Sequence, residues 1–255
     1  MIGIIGFGRF GKLAARYLAE EFEVVVYHRT EKSAEITRAG ARAASLETVC
    51  RQDIVIPCVP ISVFQEVLQD IAPLLRPDAL VVDVCSVKEY PVRLMTDILP
   101  QTVSILATHP MFGPDSASDS LEGGKICLCE VRIAKKKCRN IKAYLESKGL
   151  VVVEATPQEH DEQIATSLSL THFIGRTLSE YGAKQLDIDT EGYKRLLHIL
   201  EVVERDTWQL FLDMHHYNGY AKEKRIAFMD VMQDINSRLE NGDLGDYVKW
   251  RMGKE

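Results

Sequence analysis

The residues best suited to chemistry are His109 and Ser86. His109 stands in Thr108-His109-Pro110-Met111-Phe112-Gly113-Pro114, between an apolar run over 104–107 that reads as a buried strand and a proline-bounded turn. In an open α/β sheet ligands occupy the crevice beyond the carboxyl ends of the strands, so this imidazole is expected to face a ligand. Two prolines and a glycine should hold the backbone around it. A neutral imidazole with an ordinary pKa of about 6.5 is matched to taking a proton from a hydroxyl. Position alone equally allows a histidine that only hydrogen-bonds its turn. Ser86, in Cys85-Ser86-Val87-Lys88, follows another apolar run at 79–84. It can donate into the same crevice, and Lys88 can bring positive charge there; either could instead cap the helix that begins near Glu89.

The element that would hold a cofactor beside these groups lies at the start of the chain. Residues 1–5 form a short apolar strand, Gly6-Phe7-Gly8-Arg9-Phe10-Gly11 follows at once, and a helical pattern continues through Leu13, Ala14 and Leu18. This is G-x-G-x-x-G between strand and helix, the arrangement that brings a dinucleotide's pyrophosphate against backbone amides at a helix N-terminus. The second strand, 23–27, ends in His28-Arg29-Thr30-Glu31-Lys32, without the acid expected at its tip to accept a ribose 2′-hydroxyl. Arg29 can pair with a 2′-phosphate, with His28, Thr30 and Lys32 in reserve, so NADP is expected over NAD. Alternatively Arg29 stacks on the adenine and tolerates either cofactor. Cys58-Val59-Pro60, at the end of a strand over 53–59, is expected to shape the cofactor site.

The strand and helix alternation continues through a strand near 126–129, a helix over 135–148 and a strand at 151–154. After that the pattern is helical only: 157–183, opened by the capping box Thr156-Pro157-Gln158-Glu159, then 192–214 and 220–241. Ile164, Leu168, Thr171, Gly175 and Leu178 form the stripe of the first of these, with His172 on its flank and Gly175 small enough to admit a neighbouring helix. The expected architecture is α/β: a Rossmann dinucleotide-binding domain with a parallel sheet over 1–155, then an all-helical dimerisation domain over 156–255. That second domain would make a homodimer and close the site.

Composition narrows the remaining classes. The chain has 255 residues, 46% of them hydrophobic, and a formal net charge of -6, which gives no reason to expect a nucleic-acid partner. Lys135-Lys136-Lys137 reads as a solvated helix face. No apolar run is long enough to cross a bilayer and the chain opens directly in a strand, so no membrane partner and a cytoplasmic location are expected. The six cysteines show no C-x-x-C spacing and Cys127 and Cys129 are expected to diverge, so neither a metal site nor a disulfide framework is indicated.

With these residues assembled, the chain resembles the arogenate and prephenate dehydrogenase family. The resemblance rests on the glycine loop, on Asp83 through Ser86-Val87-Lys88, and above all on the stretch from Thr108 to Pro114. The C-terminal half looks like the plant-type arogenate dehydrogenases through Glu159-His160-Asp161, Thr171-His172, Gly175-Arg176-Thr177-Leu178, Thr190, Gly192-Tyr193 and Leu196-Leu197. The resemblance implies oxidation of a small-molecule substrate, arogenate or alternatively prephenate, with His109 on the ring hydroxyl. Ser86 would sit beside that hydroxyl and the nicotinamide, and His172 near the substrate. An arginine-rich segment that grips the side-chain carboxylate in many bacterial members is absent, which leaves Arg176, or Lys194 and Arg195, as candidates beside ordinary helix salt bridging. Asp161 could favour the ammonium of arogenate over the ketone of prephenate, or only stabilise its own helix N-terminus. A β-hydroxyacid dehydrogenase would need a lysine within 157–183, where there is none; a non-catalytic NADP(H) sensor would have no use for Ser86 and His109 together.

Overall fold

A computed structural model describes residues 1–242, so the expected dimerisation domain's last stretch, 243–255, lies outside the described residues. In chain order the elements begin β1 (Ile2–Ile5), α1 (Arg9–Ala19), β2 (Val24–Tyr27), α2 (Ser33–Arg38), β3 (Arg42–Ala43), α3 (Leu46–Cys50) and β4 (Ile54–Pro57). Then come α4 (Phe64–Ile71), β5 (Leu80–Asp83), α5 (Glu89–Ile98), β6 (Ser104–Pro110), β7 (Lys125–Arg132), α6 (Lys135–Ser147) and β8 (Val151–Glu154). The helical remainder is α7 (Pro157–Ile164), a π-helical turn (Ala165–Leu170), α8 (Thr171–Tyr181), α9 (Glu191–Glu204), α10 (Trp208–Tyr217) and α11 (Ala221–Asn241).

The strands form one eight-stranded sheet in the order β3-β2-β1-β4-β5-β6-β7-β8. β1 at its centre is buried along its whole length, which is why IGII carries no polar residue. Alternate residues feed two cores. Ile2, Ile4, Val24 and Val26 pack on one side, and Val25, Val55, Val81 and Ile105 on the other. Each fully buried aliphatic side chain contributes about 1.5–3 kcal/mol, so a charge at Val81 would break the sheet's middle. The sheet is not wholly parallel, because β7 runs antiparallel to β6. The strand carrying His109 also extends further than its apolar run, to Pro110, with His109 opposite Cys127. Cys127 and Cys129 do not diverge: residues two apart on a strand share a face, and their sulfurs lie 3.9 Å apart. All six cysteines are free.

The chain divides into two compact units. The first comprises Met1–Ile164 together with Thr207–Asn218, so it takes in α7 and, on a later return of the chain, α10. Asp213 fastens α10 there: buried, it accepts hydrogen bonds from the Ser62 amide (3.1 Å) and hydroxyl (3.2 Å) and from Gln209 (2.7 Å). The second unit comprises, among the described residues, Ala165–Asp206 and 219–242. The continuous helix expected over 192–214 is two helices, because Thr207 starts a new one by accepting from the Leu210 amide (3.1 Å). The helix expected over 157–183 is likewise interrupted, by the π turn. Gly175 performs the expected service for α9: a Cβ there would stand 2.5 Å from a Val203 methyl carbon. Among the described residues no helix is long and apolar enough to cross a membrane.

Candidate active site

The dinucleotide end is built on two close backbone approaches. Gly6 has φ +99° and a Cβ there would lie 2.3 Å from the Cys58 carbonyl oxygen; one on Gly11 would lie 2.2 Å from the Gly6 oxygen. Only glycine lets β1, the loop and α1 meet so tightly, and Cys58 and Val59 wall the turn, Pro60 following. Gly8, at the N-terminus of α1, faces open space, with no atom within 4 Å of where a Cβ would stand. A diphosphate fits that space, next to helix amides that have no partner within the helix. Phe7 is buried; its carbonyl accepts from Lys32 Nζ (3.4 Å). Arg9 is ion-paired with Asp115, and Phe10 is the first turn's second residue.

Beside β2 a cleft of about 290 Å³ is lined by Tyr27, His28, Thr30, Lys32 and, against expectation, Glu31. Glu31 thus lines the cleft, four residues past Tyr27 at the strand tip. Its carboxylate accepts from the Ser33 amide (2.7 Å), and the Ser33 hydrogen bonds hold it below the usual carboxylate range. His28 Nδ1 lies 3.0 Å from the Thr30 hydroxyl, and Arg29 is exposed.

At the carboxyl end of β5 and β6 the groups are buried. β5 pairs with β6 so that Asp83 lies opposite Ala107, which brings the ends carrying Ser86 and His109 side by side. Ser86 Oγ is buried with no hydrogen-bond partner, an orphan that a ligand polar group would satisfy. His109 is 6% exposed and its Nδ1 is 2.8 Å from His160 Nε2, whose Nδ1 is in turn 2.7 Å from Asp161 Oδ1. The ring is thus held by strand register and by His160, where the turn residues were expected to hold it. Burial, then His160 and Lys88, push the His109 pKa well below its ordinary value, so the ring is neutral.

Two expected substrate groups do other work. Lys88 has no exposure: its ammonium donates to both Asp83 oxygens (2.6 and 2.7 Å) and to the Thr108 carbonyl (2.5 Å). All three N–H bonds are spent, so it cannot bring charge to a substrate. Asp161 does not cap its own helix. Its carboxylate accepts from the Lys88 (2.7 Å) and Glu89 (3.0 Å) amides, closing the N-terminus of α5, and from His160. It is therefore not available to an ammonium. His160 was not among the expected site residues. The buried positions His160, Asp161, Ile164 and Ala165 share one helical face, and extending the Ile164 stripe upstream by one turn would have found the pair.

His172 and Arg176 lie in the second unit. Both are buried, so neither makes a surface salt bridge: Arg176 donates to the Asp206 carbonyl, and His172 Nε2 stands 3.7 Å from the Asp206 carboxylate. Burial lowers the His172 pKa, with Asp206 opposing and Arg176 assisting. His172 Nδ1 and Ser169 Oγ are buried without partners. Lys194 and Arg195 are exposed, paired with Asp189 (3.5 Å) and Glu191 (3.8 Å). Among the described residues no cluster of three or more His, Cys, Asp or Glu could hold a metal ion.

The family model for the prephenate dehydrogenase nucleotide-binding domain matches residues 14–154, and one described as TYRAAT1-like, C-terminal domain, matches 177–248. Arogenate dehydrogenase 2, chloroplastic, of Arabidopsis thaliana is 33% identical over 268 residues, covering 100% of this chain and 74% of that protein. Arogenate dehydrogenase 1, chloroplastic, of the same plant is 32% identical, covering 93% of this chain but 39% of its own length. Two solved structures share the fold. Prephenate dehydrogenase from A. aeolicus, in complex with hydroxyphenyl propionate and NAD+, aligns with a TM-score of 0.76 at 21% identity over 98% of this chain and 95% of that one. Synechocystis arogenate dehydrogenase aligns at 0.69 and 20% identity over 99% and 98%. With the glycine turn, the buried His109 and these matches together, the chain belongs to the arogenate and prephenate dehydrogenase family.

Proposed function

We propose that this chain oxidises arogenate with loss of CO₂, using NADP, and that His109 is the base. The observation that carries the reading is the 2.8 Å contact of His109 Nδ1 with His160 Nε2, which leaves His109 Nε2 as the ring nitrogen for a substrate hydroxyl. The nicotinamide, when bound, supplies the hydride acceptor. His109 takes the hydroxyl proton as the carbonyl forms, and the Ser86 hydroxyl, otherwise orphaned, donates to the same oxygen. The buried pair His172 and Arg176 is the second unit's candidate for the substrate carboxylates. NADP rests on exposed Arg29, which is not among the residues lining the cleft, and on His28, Thr30 and Lys32, which are, Glu31 being turned to the Ser33 amide. The homodimer is supported by α11, where Ile226, Met229, Met232, Ile235 and Leu239 make an exposed apolar stripe.

One observation favours prephenate as the second reading: Asp161, the acid expected to prefer an ammonium, is spent on α5 and His160. Arogenate is then supported by likeness to the plant enzymes. Steady-state rates with both substrates and both cofactors decide. The expected result is a higher kcat/KM with arogenate and NADP, and a kcat for His109→Asn lower by about 10²–10⁴ with little change in KM. A kcat/KM about tenfold higher for prephenate reverses the choice of substrate, and near-normal turnover of the variant removes His109 from the chemistry.

A further inference from the structure

His109, His160 and Asp161 form an unbroken buried chain whose proton positions follow from one end. Both carboxylate oxygens of Asp161 accept from backbone amides at the N-terminus of α5, Oδ1 from Lys88 and Oδ2 from Glu89. An ionised carboxylate only accepts, so His160 Nδ1 is the donor in their 2.7 Å contact. A neutral His160 then offers a lone pair at Nε2, and His109 Nδ1 must be the donor in the 2.8 Å contact. Every proton in the chain has one place, and the only basic nitrogen left is His109 Nε2. Other charged or titratable groups bear on His109: the Lys88 ammonium, paired with Asp83, opposes an imidazolium there, while Cys127 faces it from β7. A cation on His160 would instead touch the Asp161 carboxylate directly.

From this geometry we infer that His160 is a proton store acting through His109, the proton being taken up during oxidation and handed back during aromatisation. The inference rests on His109 being the base. As the substrate O–H bond breaks, its electron pair becomes the carbonyl π bond, the hydride of the same carbon goes to the oxidised dinucleotide, and an N–H bond forms at His109 Nε2. The His109 Nδ1–H bond then breaks and its proton binds His160 Nε2, leaving His109 neutral and His160 cationic against Asp161. In the second half the bond to the ring carboxylate breaks, CO₂ leaves, and its electron pair completes the aromatic ring while the carbonyl π pair moves to oxygen. That oxygen takes the proton from His109 Nε2, and the His160 proton returns to His109 Nδ1. No net proton is released, which is why a buried chain of three groups suffices.

Two substitutions separate storage from mere positioning. His160→Gln can still accept from His109 Nδ1 and hold the ring, but it cannot be protonated. His160→Asn can keep the bond to Asp161 but withdraws the acceptor from His109. Both are expected to lower kcat about 10- to 100-fold, part of the full effect of losing the base, with KM for substrate and dinucleotide unchanged within about threefold. Solvent deuterium should report more than one proton in flight in the native enzyme and one in each variant. Thermal denaturation and fluorescence of bound reduced dinucleotide check the fold, and if the asparagine variant does not fold the glutamine variant decides alone. Recovery of native turnover and isotope response by His160→Gln shows that His160 only positions the ring and overturns the inference, as does native behaviour of both variants. His109→Asn measured alongside distinguishes the failures: if it is crippled while both His160 variants are native, only the store falls; if it is itself near native, the underlying assignment of the base falls.

Discussion

At the carboxyl end of β5 and β6, Lys88 has no exposure and its three N–H bonds end on Asp83 and Thr108. At the carboxyl end of β2, Arg29 is exposed and its neighbours His28, Thr30 and Glu31 bond only to residues within two positions along the chain. The same sheet edge thus carries one region where burial forces each charge and proton to have a fixed partner, and another where water can satisfy them. A buried charge without a partner costs several kcal/mol, so the first region is fixed before any ligand arrives. In the second the ligand itself must order the side chains. On the proposed function the chemistry sits where each buried charge has a fixed partner, and cofactor choice where the side chains are exposed and cheap to change.

That contrast breaks most visibly in stability. Lys88→Met leaves Asp83 buried and unpaired, and should cost about 3–5 kcal/mol in urea unfolding, against less than about 0.5 kcal/mol for Arg29→Ala. Removing both charges, as Asp83→Asn with Lys88→Met, should cost less than removing Lys88 alone. A loss below about 1 kcal/mol for Lys88→Met would mean that the first region is not pre-organised by this pair.

Next in size is the response to acid. His109 and His172 both have pKa values depressed by burial, so the unfolded chain binds their protons at a pH where the folded one does not. Stability is therefore full above the unfolded value of about 6.5 and falls as pH drops below it, by up to about 1.4 kcal/mol per pH unit for each proton. Urea midpoints between neutral pH and pH 5 measure this, and His109→Asn should remove one proton's share of the slope. A slope unchanged by that variant would show that His109 protonates readily in the folded state, contrary to its burial.

How much of this could be read from residues alone follows the same division. The glycine loop and the apolar strands announce themselves, because tight backbone approach needs glycine and buried parallel strands need aliphatics. His109 is legible as a type. Its setting is not, because Pro110 reads as a turn residue although, as the last residue of β6, it leaves the strand intact and Met111 donates onward to Lys125 (2.8 Å). His160, and the role of Asp161 though not the residue itself, are hidden by polarity: in a sequence such types signal solvent, and only the three-dimensional neighbours show that they point inward. Lys88 misleads for the same reason, a charged residue at a strand end reading as a ligand group when its partner, Asp83, is five residues upstream. The break at Thr207 is local and was readable, since Asp206-Thr207 carries an ordinary capping residue. The return of α10 to the first unit depends on the Asp213 to Ser62 contacts, which link positions 151 apart in sequence.

In the exposed region effects are smaller and appear in selectivity. Arg29→Ala should lower the preference for NADP over NAD by about tenfold, about 1.4 kcal/mol, with kcat on the better cofactor little changed. An unaltered ratio of the two kcat/KM values would return Arg29 to stacking on the adenine and leave Lys32 or Thr30 to read the ribose.

The smallest effect is expected where the loop after β6 rests on α1. Arg9 of the glycine loop pairs with Asp115, yet the same loop is also fastened by Arg16 to the Ser118 carbonyl (2.6 Å) and by the Tyr17 hydroxyl to the Ala117 carbonyl (2.9 Å). Both members of the ion pair are nearly half exposed, 42% and 43%, so water and salt screen the attraction. Asp115→Ala should therefore cost less than about 1 kcal/mol, and that little should vanish in high salt. Chemical denaturation at low and high ionic strength gives the number. A loss as large as that of Lys88→Met, persisting in salt, would show that this loop belongs with the pre-organised region, and the contrast between the two ends of the sheet would have to be redrawn with Arg9 on the rigid side.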